Sequence, residues 1–305
     1  MAVDVLVTGA AGALGSQITF ALRSASYNVI RCGRSPAANV DAHWDISCQD
    51  RPRPDCNPKI VVHAAAVIGS YGSSLETAIP QLDVNVTGTM RVVRWCQAQG
   101  VEKLVLISGA IVYGRWNESP KTEDDPLQPW WAGHYAVSKW CSEGVASLFE
   151  SAEGRVTILR LTSLYGMQYG AGLIPRLLNQ GLETGSIHLE PPFDDGFDLL
   201  HLQDAAQAVR LAVDSAKSGI WNVGGGNLAS IREVAELCAT QANATLTLSD
   251  AAPERAARII NWVDDSKARQ ELGHTNQVSL NMGITEITQS LQTKGERQPD
   301  AGTVA

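Results

Sequence analysis

Short apolar, β-branched runs recur along the chain at Val3–Val7, Tyr27–Ile30, Ile60–His63, Leu104–Ile107 and Val156–Leu159. They are continuous rather than alternating, the pattern of strands covered on both faces. The stretches between them have helical spacing. Leu14, Ile18 and Leu22 repeat every four residues, Val86, Met90, Val93 and Trp95-Cys96 mark a second helix, and Val137, Cys141, Val145 and Leu148 a third. This alternation predicts an α/β chain built on a doubly wound parallel sheet of the Rossmann type. The rhythm weakens after about residue 166, where Pro175, Pro191-Pro192, Asp194-Asp195-Gly196 and Gly224-Gly225-Gly226 punctuate the sequence. The expected organisation is a sheet domain over 1–165 with a return segment near 197–225, a smaller C-terminal lobe over 166–295, and an unstructured tail over 296–305.

The first strand runs into Thr8-Gly9-Ala10-Ala11-Gly12-Ala13-Leu14-Gly15, a G-x-x-G-x-x-G turn that opens the first helix. At a strand–helix junction, glycines allow a tight turn, let the backbone approach a pyrophosphate, and let helix and strand pack closely. The helix N-terminus then offers free N–H groups to phosphates. Placed at residue 9, this turn points to dinucleotide binding rather than to a plain structural turn. A carboxylate about 20 residues further on would bind the ribose 2′-hydroxyl of NAD. Gly33 stands where that acid is expected and Arg34 follows it. A guanidinium can bind a 2′-phosphate that a carboxylate would repel, so NADP is favoured over NAD. The alternative is that Arg31 and Arg34 are solvated loop arginines.

Composition narrows the partners. The 305 residues are 44% hydrophobic and 18% charged, enough for a large core. Lys and Arg number 24 against 32 Asp and Glu, and no basic run appears, which speaks against nucleic acid and against a basic membrane-binding face. No apolar run approaches the roughly 18 residues of a membrane span, and the start lacks a basic signal-peptide region. A soluble cytoplasmic protein is expected. Cys32, Cys48, Cys56, Cys96, Cys141 and Cys238 show no C-x-x-C spacing, and no metal site is expected.

Tyr135-Ala136-Val137-Ser138-Lys139 is a Y-x-x-x-K, which puts both side chains on one helix face. A phenol titrating near pH 10 is a poor acid or base at neutral pH, and an adjacent ammonium favours its phenolate. The motif recurs by chance and gains weight from the glycine turn ahead of it. With these residues stand Asp45-Ile46, His63-Ala64-Ala65-Ala66, Asn85-Val86-Thr87-Gly88-Thr89, Val112-Tyr113-Gly114, Leu159-Arg160 with Tyr165-Gly166, Asp198 to Asp204, and Trp221-Asn222-Val223-Gly224. Together they resemble the extended short-chain dehydrogenase/reductases of the NAD-dependent epimerase/dehydratase type, over almost the whole chain. The resemblance implies a cofactor site lined by Gly9, Ala11, Gly12, Ala13, Leu14, Gly15, Arg34, Asp45, Ile46, Ala64, Ala65, Ala66, Asn85, Ile107, Tyr135, Lys139 and Leu161. It implies Tyr135 and Lys139 as the catalytic pair.

The departures from the family pattern matter as much. The family's catalytic Ser or Thr lies four residues before the tyrosine of V-Y-G, and here that position is Gly109. Ser108, one residue earlier, is the candidate to polarise a substrate carbonyl, against the alternative of a strand-end serine bonding only to the protein. Relatives that eliminate water carry Asp-Glu at the next two positions, where this chain has Ala110 and Ile111, which cannot transfer protons. The expected chemistry is therefore hydride transfer between a nicotinamide and a carbonyl or hydroxyl carbon. Leu161-Thr162-Ser163 and Phe197 replace residues usual in nucleotide-sugar enzymes. The substrate side is expected at Ser108, Gly109, Ala110, Trp131, Tyr135 and Ser163, with Trp130 and Trp131 either walling the substrate or packing their loop. A ketoreductase on a sugar or nucleotide-sugar is the first reading. A 4-epimerase with tightly bound NAD and a non-catalytic dinucleotide-binding protein are the alternatives. The family also implies a homodimer through the helices near Val86–Cys96 and Tyr135–Phe149, with Trp95 and Trp140 as candidate contacts.

Overall fold

The computed structural model describes residues 4–35, 40–48, 54–68, 74–114, 116, 119–150, 154–170, 172–226, 228–251 and 259–296. The chain begins with β1 (Asp4–Thr8), α1 (Ala13–Ser24), β2 (Asn28–Gly33), β3 (Ala42–His43) and β4 (Ile60–His63). Then come α2 (Leu75–Gln81), α3 (Thr89–Gln99), β5 (Lys103–Gly109), α4 (His134–Ser147) and β6 (Arg155–Leu161). The later part holds β7 (Ser163–Tyr165), α5 (Leu173–Thr184), β8 (Ser186–Leu189), β9 (Gly196–His201), α6 (Leu202–Asp214) and β10 (Gly219–Val223). It ends with β11 (Leu228–Ser230), α7 (Ile231–Ala242), β12 (Thr245–Leu248), β13 (Ile260–Asn261), α8 (Ser266–Leu272) and α9 (Leu280–Glu296).

Seven parallel strands form the central sheet in the order β10-β6-β5-β4-β1-β2-β3. The chain winds outward from β1 in one direction and from β4 in the other. The order therefore reverses between β1 and β4, and a crevice opens at the carboxyl ends of those strands, where ligands bind in open α/β sheets. One face buries Val5, Val7, Ile18, Leu22, Leu159 and Val209 between the sheet, α1 and α6. The other buries Leu6, Val61, Val92, Trp95, Leu104 and Ile158 under α3 and α4. A third cluster, including Ile174, Leu178, Val234, Cys238 and Ile284, joins α5, α7 and α9. Each such aliphatic side chain contributes about 1.5–3 kcal/mol on burial.

The strands run beyond their apolar centres. β2 continues through Arg31 and Cys32 to Gly33, because its ladder with β1 runs on to Thr8–Cys32 and β3 pairs with Cys32 and Gly33, while Asp41 holds the Arg31 guanidinium with bonds of 3.0 and 2.7 Å. The second expected helix begins earlier, at Leu75, and passes through a π-helical turn over Leu82–Gly88 before α3. Trp95 is buried against Trp44 with ring centroids 5.5 Å apart, so it belongs to the core rather than to a docking face. Trp140 is 43% exposed. Of the return segment, β10 joins the sheet beside β6, whereas β9 pairs with β7, β11 and β13. Helix α9 extends through Glu296, the first residue expected in the tail, and the remainder of that expectation lies outside the described residues.

Candidate active site

The glycine turn is compressed to the limit of what side chains permit. Gly9 has φ +70°, and a Cβ there would sit 2.8 Å from the Ala65 backbone. A Cβ on Gly15 would sit 2.1 Å from the Gly9 carbonyl oxygen. Only glycine allows α1 to start this close to β1 and to the loop after β4. No side chain caps the N-terminus of α1. The cradle and the uncapped N–H groups fit a dinucleotide pyrophosphate lying across Gly9–Gly15.

Behind the turn, His63 bridges Thr8 Oγ1 at 2.7 Å and Thr89 Oγ1 at 3.0 Å. Burial, with the Lys139 charge adding, pushes its pKa down to about 3, so the ring stays neutral. Thr8 Oγ1 also accepts the Ala65 N–H at 3.3 Å, which ties the Ala64–Ala66 segment to β1. Asn85 sits in the π-helical turn and is 2% exposed. Its amide accepts the Val67 N–H at 2.8 Å and donates to the Val67 carbonyl at 3.0 Å and Ser138 Oγ at 2.9 Å. Both ends of its amide are thus engaged by the protein, and Asn85 shapes the wall after β4. Asp45 accepts the Ser47 N–H at 3.0 Å and hydroxyl at 2.6 Å, and Ile46 is buried beside it. Arg34 is exposed at the end of β2.

The catalytic candidates lie along α4. Tyr135 is half-buried, and Lys139, one turn on, is buried with its ammonium donating to the Ile107 carbonyl of β5 at 2.6 Å. Burial pushes the Lys139 pKa down to about 8, and the Glu143 carboxylate opposes that fall. Ser108 lies next to the end of β5. Its hydroxyl donates to Glu143 Oε1 at 2.5 Å, and the residue is 4% exposed, so its proton is committed to the interior. Side chains alternate along a strand, so Gly109 faces the other way. A Cβ on Gly109 would meet only ordinary contacts, Ile111 Cγ2 at 3.6 Å and the Leu161 carbonyl oxygen at 3.8 Å. Ala110 and Leu161 are buried, and Ser163 is exposed. Trp130 and Trp131 form a 3₁₀ turn with Pro129 just ahead of α4 and are 60% and 58% exposed.

The structure thus brings Gly9–Gly15, Ala64–Ala66, Ile107–Gly109 and Leu161 together at the carboxyl ends of β1, β4, β5 and β6. Sequence reasoning quoted Arg160 only as part of a motif and missed Glu143, the buried carboxylate with which it forms an ion pair at 2.9 Å. The signal was present: an arginine inside the apolar strand Val156–Leu161 demands a carboxylate, and Glu143 repeats the spacing of Tyr135 and Lys139. Among the described residues, no group of His, Cys, Asp or Glu could hold a metal ion, and no helix is long and apolar enough to cross a membrane.

The family model for the NAD-dependent epimerase/dehydratase family matches residues 5–224. The chain is 30% identical to a UDP-glucose 4-epimerase of Corynebacterium glutamicum, covering 89% of this chain and 90% of that one. It is 27% identical to a dTDP-glucose 4,6-dehydratase of Streptomyces griseus, covering 93% and 92%. Among solved structures, the Thermus thermophilus UDP-glucose 4-epimerase in complex with NAD superposes with a TM-score of 0.80 at 25% identity, covering 95% of this chain and 99% of that one.

Proposed function

The chain belongs to the NAD-dependent epimerase/dehydratase family of enzymes, and on that premise we propose that it is an NAD(P)-dependent oxidoreductase acting on a carbonyl or hydroxyl carbon of a sugar or nucleotide-sugar. The observation that carries this reading is the surroundings of Tyr135. Lys139 lies one turn away, and the β5 terminus offers only Gly109, Ala110 and Ile111 where dehydration would need proton-transferring side chains. A bound nicotinamide supplies the hydride acceptor or donor. Tyr135 holds the proton that enters or leaves the substrate oxygen. Lys139 holds a positive charge beneath it and favours the phenolate. The exposed Trp131 and Ser163 line the substrate side. Ser108 acts through Glu143 rather than on the carbonyl. The test is consumption of NADPH or NADH by purified protein across 4-keto sugars, nucleotide-linked and free. A failure of every carbonyl to oxidise the coenzyme rejects the reading.

A second reading, a nucleotide-sugar 4-epimerase that retains its cofactor, is favoured by the names of the relatives. It predicts purification with bound NAD and interconversion of 4-epimers without added coenzyme.

NADP is the preferred coenzyme, supported by Gly33 in the acid position and by Arg34 exposed beside it, while Asp41 holds Arg31. Competitive titration showing tighter NAD binding rejects it. Residues 1–165 with the return segment near 197–225 serve the cofactor, and 166–295 serve mainly the substrate. The protein works in the cytoplasm on small molecules, as a homodimer through the exposed Leu82, Met90, Trp140 and Leu148. A monomer by light scattering at micromolar concentration removes the dimer.

A further inference from the structure

Three neighbouring parallel strands place Ser108 of β5, Arg160 of β6 and Asn222 of β10 in one register row. Residues in register point to the same face, here the face covered by α4. Arg160 is 2% exposed. Its Nη2 donates to Glu143 Oε2 at 2.9 Å and its Nε to Glu143 Oε1 at 3.1 Å. Its Nη1 donates to the Tyr113 hydroxyl at 3.1 Å, which in turn donates to Asn222 Oδ1 at 2.7 Å. Asn222 donates through its side chain to the Lys121 carbonyl at 2.8 Å and through its backbone N–H to Glu123 Oε1 at 2.7 Å. Ser108 completes the Glu143 carboxylate at 2.5 Å. One carboxylate on α4 is therefore tied to three strands and to the loop at 121–123.

A buried ion pair is a poor way to gain stability, since well-packed apolar residues serve as well. What it provides is direction, because a bidentate guanidinium–carboxylate pair fixes both partners. Glu143 shares the helix face of Tyr135 and Lys139 at successive four-residue steps. We propose that Glu143 is a positioning residue for the Tyr135–Lys139 pair: the Arg160–Ser108 clamp on its carboxylate fixes α4 over the end of β5 and sets a negative charge one turn from the Lys139 ammonium. The inference rests on the hydride-transfer reading of this site. Among the described residues, the charged or titratable groups facing Lys139 are Tyr135 and Glu143 on its own helix and the neutral His63 from β4, and Arg160 of β6 is paired with Glu143.

The test is an NMR titration of the whole protein labelled with carbon-13 at the lysine ε-carbons, with Lys139→Met used for assignment. Lys103 is an internal control. It is a second buried lysine, at the opposite end of β5, bonded to the Ala212 and Ser215 carbonyls, and its pKa is also pushed down to about 8. In Glu143→Gln the Lys139 midpoint falls by about one pH unit while that of Lys103 stays in place. The kcat falls about tenfold with KM within about twofold, and Glu143→Asp recovers part of it. A folded Glu143→Gln with unmoved Lys139 midpoint and unmoved kcat overturns the proposal. If Arg160 left unpaired prevents folding, Glu143→Gln/Arg160→Gln removes both charges. A kcat still depressed then supports the positioning role, and a wild-type kcat overturns it. A lowered Lys139 midpoint in a protein that reduces no carbonyl supports the positioning and rejects the functional reading instead.

Discussion

Replacing Lys139 with methionine isolates what the buried ammonium costs the fold. An ordinary lysine titrates at 10.5, and burial brings Lys139 to about 8. A tenfold change in proton affinity corresponds to about 1.36 kcal/mol, so holding the charge inside costs the folded state about 3 kcal/mol at pH 7. Methionine fills similar volume without charge but leaves the Ile107 carbonyl, now bonded at 2.6 Å, without its donor, which costs about 1 kcal/mol. Lys139→Met is therefore expected to be more stable than wild type by about 2 kcal/mol at pH 7. For a chain of this length that is roughly a 3 °C rise in Tm. The sign of the pH dependence follows from the depressed folded-state pKa. Below about pH 8 both states are protonated and the whole cost is present. Between about 8 and 10.5 the folded wild type sheds its proton first and gains stability, so the advantage of the variant shrinks across that window. Urea unfolding followed by tryptophan fluorescence from pH 7 to pH 10 measures both quantities. A variant less stable than wild type at pH 7, or a difference independent of pH, refutes the reasoning. Activity in the same variant falls steeply, since Tyr135 loses its neighbouring charge.

Other sites carry further expectations. Gly15→Ala forces a Cβ to within 2.1 Å of the Gly9 carbonyl oxygen, so coenzyme affinity by fluorescence titration falls at least about 100-fold; unchanged affinity contradicts the cradle. Asp198 is 4% exposed and its pKa is raised to about 6, chiefly by burial, so wild type loses about 3 kcal/mol of stability as pH climbs from about 4 to about 6. Asp198→Asn flattens that slope, and a profile matching wild type would count against the assignment. Gly109→Ser finds room beside Ile111 and Leu161 in an extended backbone, so Tm moves by less than about 2 °C and kcat/KM on a carbonyl substrate rises; a fall of about 5 °C or more would show that the position does demand glycine.

The sheet was legible because its strands are covered on both faces. Val5-Leu6-Val7 and Ile60-Val61-Val62 can only be interior. The glycine turn was legible because Gly9 and Gly15 answer a steric demand that no other residue meets. The π-helical turn at Leu82–Gly88 left no trace in the apolar period, since one extra residue per turn shifts the spacing no more than ordinary scatter does. Trp95 read as a surface aromatic because helical spacing does not reveal Trp44, 51 residues earlier, as its partner. Ser108 and Asn85 carried the right chemistry for contact with ligand, yet their hydrogen bonds go to Glu143, Val67 and Ser138. Local pattern cannot say which of several polar partners a buried donor meets.

The central claim is that hydride moves at the Tyr135–Lys139 pair. Its most direct test uses reduced coenzyme with deuterium at both C4 positions of the nicotinamide, incubated with 4-keto nucleotide sugars and read by mass spectrometry of the product. The account predicts one deuterium per product molecule with wild type, and a rate at least about 100-fold lower with Tyr135→Phe. Product without deuterium, or equal rates for the two proteins, would contradict it.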